Sequence, residues 1–279
     1  MSGFPCAAGL APRYFGHDAP VRGRQRETVI AMSDFRQDTM TRGRTDMAVD
    51  AGLRSFMLGV YNKLALGLVV SGALAWVVGN VAAVQQLFYV AGPAGEMAGM
   101  TPLGWAVQFA PLVLIFGSMF LMKRPSPAMT NILYWAVVST MGLSLGWIFL
   151  VYTGASVATT FFVTAAAFGG LSLYGYTTKR DLGPMGTFLI MAVIGLVIAS
   201  VVNMFMQNET LYWIISGAGV LIFSGLIAYD TQRLKLTYYE LGGNQSALSV
   251  ATSFGALSLF ISFVNLFLFL LRIFGASRE

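Results

Sequence analysis

Any chemistry inside this chain would turn on one carboxylate, Asp230, in the segment Tyr229-Asp230-Thr231-Gln232. It is the only acid near the membrane side of the apolar run that precedes it. Farther along, Ser258, Ser262 and Asn265 recur at spacings of four and three, so they line one stripe of a helix. A carboxylate beside such a stripe supplies oxygen, the ligand a hard cation such as calcium takes. The supply is thin: Asp230, three polar side chains, and any exposed carbonyls. Two plainer readings stand beside this one. Arg233 lies at i+3 and could pair with Asp230 on a solvated extension of the helix. The serines and Asn265 could simply cross-link helices, at about 0.6 kcal/mol per bond in a membrane protein. An acid at a helix C-terminus opposes the dipole by a few tenths to about 1 kcal/mol, so the placement of Asp230 asks for a reason.

Other chemistries lack material. The single cysteine, Cys6, excludes an intramolecular disulfide or a cysteine metal cluster. The single histidine, His17, sits in a polar leader, and no HExxH or GxSxG pattern occurs, so an enzyme is not expected. No cofactor is expected either. Lys123 and Arg124 read as a stop signal at the inner face. Glu96 and Glu209 lie on the opposite face, where they draw cations toward an entrance or are simply solvated.

The elements that must position these residues are membrane helices. The chain is 56% hydrophobic with 10% charged residues, against roughly 25% charged in a soluble domain. Seven apolar runs follow a polar lead-in: about 56–79, 103–122, 129–150, 155–176, 185–206, 211–229 and 248–273. Each matches the roughly 20 residues that cross a bilayer. Unbroken apolar twenties also exclude a membrane barrel, whose strands alternate. The last run, Leu248–Ile273, is the inner element of the bundle. It carries Ser253, Ser258, Ser262 and Asn265, and a polar stripe faces protein or water rather than lipid. A re-entrant course for this helix is the alternative. Lys63, within the first two turns of the first run, can snorkel to the interface.

Basic residues orient the bundle. Arg36, Arg42, Arg44, Arg54, Lys123, Arg124, Lys179, Arg180, Arg233 and Lys235 fall on one side, and only Arg272 and Arg278 on the other. Ten against two places the N-terminus in the cytoplasm. The net charge of +5 is therefore topological and implies no nucleic acid. Residues 1–54 read as a polar, unordered cytoplasmic tail with no signal peptide, and 1–31 as a possible over-extended start; the membrane domain is 55–276. Gly142 and Gly146, one turn apart, with Gly169, Gly170, Gly217, Gly219 and Gly225, are candidates for close helix approach.

Three blocks carry a resemblance: LSLYGYTTKRDLGPMGTFL at 171–189, YDTQRL at 229–234 and ALSLFISFVNLFLFLLRIFG at 256–275. In order and separation they resemble the bacterial branch of the Bax inhibitor-1 family, also called the transmembrane Bax inhibitor motif family. The resemblance covers about residues 50–276. It implies an all-α fold of seven transmembrane helices with the last helix central, in the bacterial inner membrane. It further implies a pH-sensitive calcium leak channel, while some bacterial relatives bind or restrain a membrane-bound protease without conducting. In the calcium-leaking members two aspartates share the pore, with a basic residue after the second helix. The first acid matches Asp230, and the basic residue matches Lys123 or Arg124. The second falls on Ser262, in Ile261-Ser262-Phe263-Val264-Asn265. Paired acids that share a site make a pH switch, and a hydroxyl cannot take that part. The expectation is a cation leak with weakened pH gating.

Overall fold

The computed structural model describes residues 21–92, 97–122 and 125–276, with side chains from Asp50 onward except at 91, 97, 98, 119 and 121. The chain divides into two compact units, Met1–Gly52 and Leu53–Glu279. The first is represented by helical backbone from Val21 onward, part of α1 (Val21–Asn80). That helix includes residues up to 54 for which the sequence suggests an unordered tail. Extending an existing helix adds one hydrogen bond per residue and needs no new nucleus.

The second unit holds the apolar runs. After α1 come α2 (Ala82–Phe88), α3 (Pro102–Leu121) and α4 (Pro127–Ser144). A 3-10 turn at Leu145–Trp147 leads to α5 (Ile148–Val151), then α6 (Gly154–Thr177), α7 (Gly183–Met206), α8 (Glu209–Glu240) and α9 (Gln245–Phe274). Six segments among the described residues are long and apolar enough to cross a membrane: 50–80, 127–151, 154–177, 183–206, 209–240 and 245–274. The apolar helix Pro102–Ser118 is shorter. Large side chains stand bare on their outer faces, among them Phe120, Phe162, Phe205 and Leu221. Such a surface suits hydrocarbon and not water. The protein is an all-α polytopic membrane protein.

The helix ends explain where the runs stop. Ser, Thr or Asn caps five of them: Thr101, Ser126, Thr153, Asn208 and Asn244 each accept a backbone N–H from three residues on. Pro102 and Pro127 stand in the first turns of α3 and α4, where a missing N–H costs nothing. Asp181 makes no pair with Lys179 or Arg180; it accepts the N–H of Gly183 at 2.8 Å as α7 begins. The segment 80–102, between the first two apolar runs, contains α2 and a two-stranded ribbon, β1 (Tyr89–Ala91) against β2 (Met97–Met100). Strands this short carry no alternation for a pattern to reveal. Thr101 closes the ribbon, donating its N–H to Phe88 O and its hydroxyl to Leu87 O.

Burial is uneven. Of the most apolar stretch of α9, 72% is buried, against 11% for α7. α9 packs on α8, α4 and α6. It is continuous for 30 residues, about 45 Å. Its far end is tied to the start of α6, where Ala276 accepts the N–H of Thr153 and donates its own to Ser156 Oγ. The helix has no break at which a re-entrant course would turn back. The glycines divide. A Cβ on Gly142 would meet the backbone of Ser71, with its Cα at 2.8 Å, and one on Gly146 would meet Val78. Gly219 lies under the Phe269 ring and Gly225 under Leu189. Gly169, Gly170 and Gly217 face open space and explain no packing.

Candidate functional site

The site is assembled by α8 and α9. Whereas the sequence ends the sixth run at Tyr229, α8 continues to Glu240. Asp230 is thus inside a helix and not at its C-terminus, and the argument from an opposed dipole does not apply. The helix continues because Gln232 anchors it: its Nε2 donates to Arg180 O at 2.7 Å and its Oε1 accepts the N–H of Leu182 at 2.8 Å. This clamps the α6–α7 connection onto α8.

Asp230 is buried, with 8% of its surface exposed. Its Oδ2 accepts the Ser258 hydroxyl at 2.8 Å and the Ser262 hydroxyl at 3.4 Å, both from α9 and one turn apart. The sequence alternative, an ion pair with Arg233, is not made among the described residues. Arg233 is exposed and lines the same crevice, of about 180 Å³, with Asp230, Thr237, Phe254 and Ser258. A buried carboxylate thus faces hydroxyls, with a cation at the mouth.

Asn265 is not part of this group. Its Nδ2 donates to Ile261 O at 2.8 Å, and its side chain lines a separate cavity with Phe223, Met204 and Arg272. Only two members of the expected stripe converge on Asp230, because α9 rotates on past Ser262. Lys123, Arg124 and Glu96 lie outside the described residues, as do His17 and Cys6. Glu209 is exposed in the first turn of α8, where an acid suits the helix dipole.

Two polar links escaped the sequence reading. Lys63 does not reach outward to the interface; its Nζ donates to Asn131 Oδ1 and Ser253 Oγ, each at 2.7 Å, joining α1, α4 and α9. Tyr134 accompanies it, its hydroxyl donating to Lys63 O. Tyr61, Ser172 and Thr231 form a hydroxyl chain from α1 through α6 to α8, at 2.6 and 2.9 Å. Thr231 gives its proton to Ile227 O, so Ser172 donates to Thr231 and Tyr61 donates to Ser172. A polar side chain within a span is a signal in itself, and Tyr61 and Ser172 carried it.

Among the described residues no group of three or more His, Cys, Asp or Glu is placed to hold a metal ion. Past Ser262, α9 buries Phe263, Val264, Leu266, Phe267, Leu270 and Leu271. The arrangement can attract a cation to a carboxylate flanked by hydroxyls, and beyond it an apolar plug fills the bundle.

Comparison with known proteins agrees with the three sequence blocks. A family model described as "Inhibitor of apoptosis-promoting Bax1" matches residues 53–279. A protein of Caulobacter vibrioides is 59% identical over 251 residues, covering 89% of this chain and 100% of its own. "Inner membrane protein YbhL" of Escherichia coli strain K12 is 41% identical over 238 residues, covering 84% of this chain and 98% of its own. A protein of Rickettsia prowazekii is 39% identical over 241 residues, with 86% and 98% covered. The protein belongs to the Bax inhibitor-1 family, whose members are non-catalytic membrane proteins.

Proposed function

We propose that the protein is a low-conductance cation leak of the bacterial inner membrane, permeable to calcium and weakly gated by pH. It is a multi-pass protein of that membrane, as the Escherichia coli relative is by name. With the 20-residue α3 as a further span, it crosses seven times from a cytoplasmic N-terminus, and the six other spans enclose α9. Residues 1–54 form its cytoplasmic tail. The observation that carries the reading is Asp230, buried in the α8–α9 seam with Ser258 and Ser262 on one oxygen and a crevice beside it. A buried acid inside a membrane bundle is costly, and a permeation pathway is the ordinary reason for one. Calcium takes six to eight oxygens, more than this group offers, so the site suits passage and not storage. Ser262 supplies a hydroxyl where the leaking relatives have an acid, so the two-carboxylate pH switch is incomplete. Lys123 and Arg124 act as the inner-face stop and as the basic contact of the closed state. The buried apolar length of α9 past Ser262 corresponds to a shut pathway. It also favours a second reading, a non-conducting regulator that binds or restrains a membrane-bound protease.

Calcium uptake into proteoliposomes at matched protein density, followed with a fluorescent indicator between pH 5.5 and 8, separates the two. The parent should leak slowly with shallow pH dependence, and Asp230→Asn should leak less. Ser262→Asp should raise flux and make it steeply pH-dependent. If all three match empty liposomes, the leak is refuted and the regulator stands.

A further inference from the structure

A further cavity opens between α1 and α6 and encloses about 480 Å³. Its walls are apolar, from Met57 and Leu58 of α1 and Phe168 and Leu173 of α6. Gly169 leaves one wall open: a Cβ built there meets nothing within 4 Å. Its floor is the Tyr61–Ser172 hydroxyl pair. Its mouth carries a cation. Arg54 lines the cavity, is exposed, and makes no hydrogen bond or ion pair among the described residues. A second positive charge stands close by, since Lys235 Nζ lies 5.3 Å from the centre of the Tyr176 ring, which also lines the cavity, and bonds Tyr176 O.

From this charge pattern we infer that the α1–α6 cleft binds one anionic glycerophospholipid, an acyl chain along Met57, Leu58, Phe168 and Gly169 and the phosphate on Arg54. Both halves of the ligand are matched. A bilayer fills apolar clefts between membrane helices with acyl chains, and the guanidinium, unpaired among the described residues, selects for negative charge. Basic pockets between membrane helices on the cytoplasmic side recognise phospholipid headgroups on these terms. Arg54 also offers the bidentate fork that fits phosphate oxygens. The lipid would rest against Tyr61, the first member of the hydroxyl chain that reaches Thr231, the neighbour of Asp230 in α8.

The test uses the full chain in a neutral maltoside detergent, titrated with phosphatidylglycerol and counted by native mass spectrometry. Phosphatidylcholine of the same acyl composition and inorganic phosphate are the comparison probes. One phosphatidylglycerol should bind at least about fivefold more tightly than phosphatidylcholine, the discrimination one basic residue provides at an anionic surface. Inorganic phosphate should not compete. Arg54→Gln should reduce phosphatidylglycerol to the level of phosphatidylcholine. Gly169→Leu, which fills open space and leaves the charge in place, should abolish the tight site while the melting temperature holds. Equal binding of the two lipids would mean a groove without headgroup recognition and overturn the proposal. So would displacement by free phosphate, which makes the site an anion site only. Retention of binding in Gly169→Leu would place the lipid on the surface and not in the cleft, and overturn it equally.

Discussion

Removing the Ser258 hydroxyl tests whether Asp230 acts as a carboxylate inside the bundle. The contact is short, 2.8 Å, and its acceptor is almost wholly buried. A hydrogen bond to a charged group contributes about 1.5–3 kcal/mol, whereas neutral interhelical bonds in a membrane protein average about 0.6 kcal/mol. Ser258→Ala should therefore cost about 2 kcal/mol in the parent. In an Asp230→Asn background the oxygen acceptor persists but the charge does not, so the same substitution should cost only about 0.6 kcal/mol. The coupling between the two positions is the difference, about 1–1.5 kcal/mol. Ser262→Ala should cost less than Ser258→Ala, because 3.4 Å is near the limit of a hydrogen bond. The unfolding free energy in mixed micelles, measured for the four proteins of the cycle, reads this directly. Equal costs of Ser258→Ala in both backgrounds would show that no charge is held there. A larger loss at Ser262 than at Ser258 would show that the geometry of the seam is different. Asp230→Asn alone should be neutral or stabilising, since a buried charge is replaced by an amide.

Three further outcomes follow from other parts of the bundle. Gly175→Val should destabilise by about 3 kcal/mol, the upper range for overpacking. A Cβ there meets the backbone of Ala228; Gly169→Ala on the same helix should stay within about 0.5 kcal/mol, and similar losses at both would defeat the packing argument. Cysteines placed at Pro125 and Lys179, with Cys6 removed, should be shielded from an impermeant thiol reagent in sealed cells, and ready labelling would invert the topology. Deleting residues 2–31 should leave the melting temperature of the bundle unchanged, and a drop of several degrees would mean that this segment packs on it.

Hydropathy located most of the spans to within one to three residues. For example, α7 runs Gly183–Met206 where the apolar pattern marks 185–206. It did so because polar turns separate the runs and five of the helices begin on a capping residue. The same measure failed at α8, since hydropathy senses the bilayer and not a helix that continues out of it along its neighbours. Tyr89–Met100 was missed for the opposite reason: a three-residue strand has too few positions to show a period. At the site, Ser258 and Ser262 share one face, as their spacing requires, and the structure adds their bonds to Asp230. Asn265 illustrates the limit. Spacings of four and three describe a stripe, yet which neighbour each position meets depends on how α9 is rotated between α4, α6 and α8. Lys63 was visible as a charge in a span, but its partners Asn131 and Ser253 lie 68 and 190 residues away.

The glycine contacts also decide which seams of the bundle can slide. Gly142 sets α4 directly on the main chain of α1, and Gly175 sets α6 directly on the main chain of α8. Main chain pressed on main chain has no rotamer to yield, so each pair travels as a rigid plank. The α8–α9 seam is built differently: Gly219 meets the ring of Phe269, and Gly255 meets the side chain of Leu234. Side chains can turn aside, and shear between packed helices proceeds by such small repackings. A change in the bundle would then be α9 sliding lengthwise between two planks, carrying Ser258 and Ser262 past a stationary Asp230. A slide of one turn would put Ser262 in the place Ser258 now holds on the carboxylate and would release the Ala276 tie to α6, without breaking either plank.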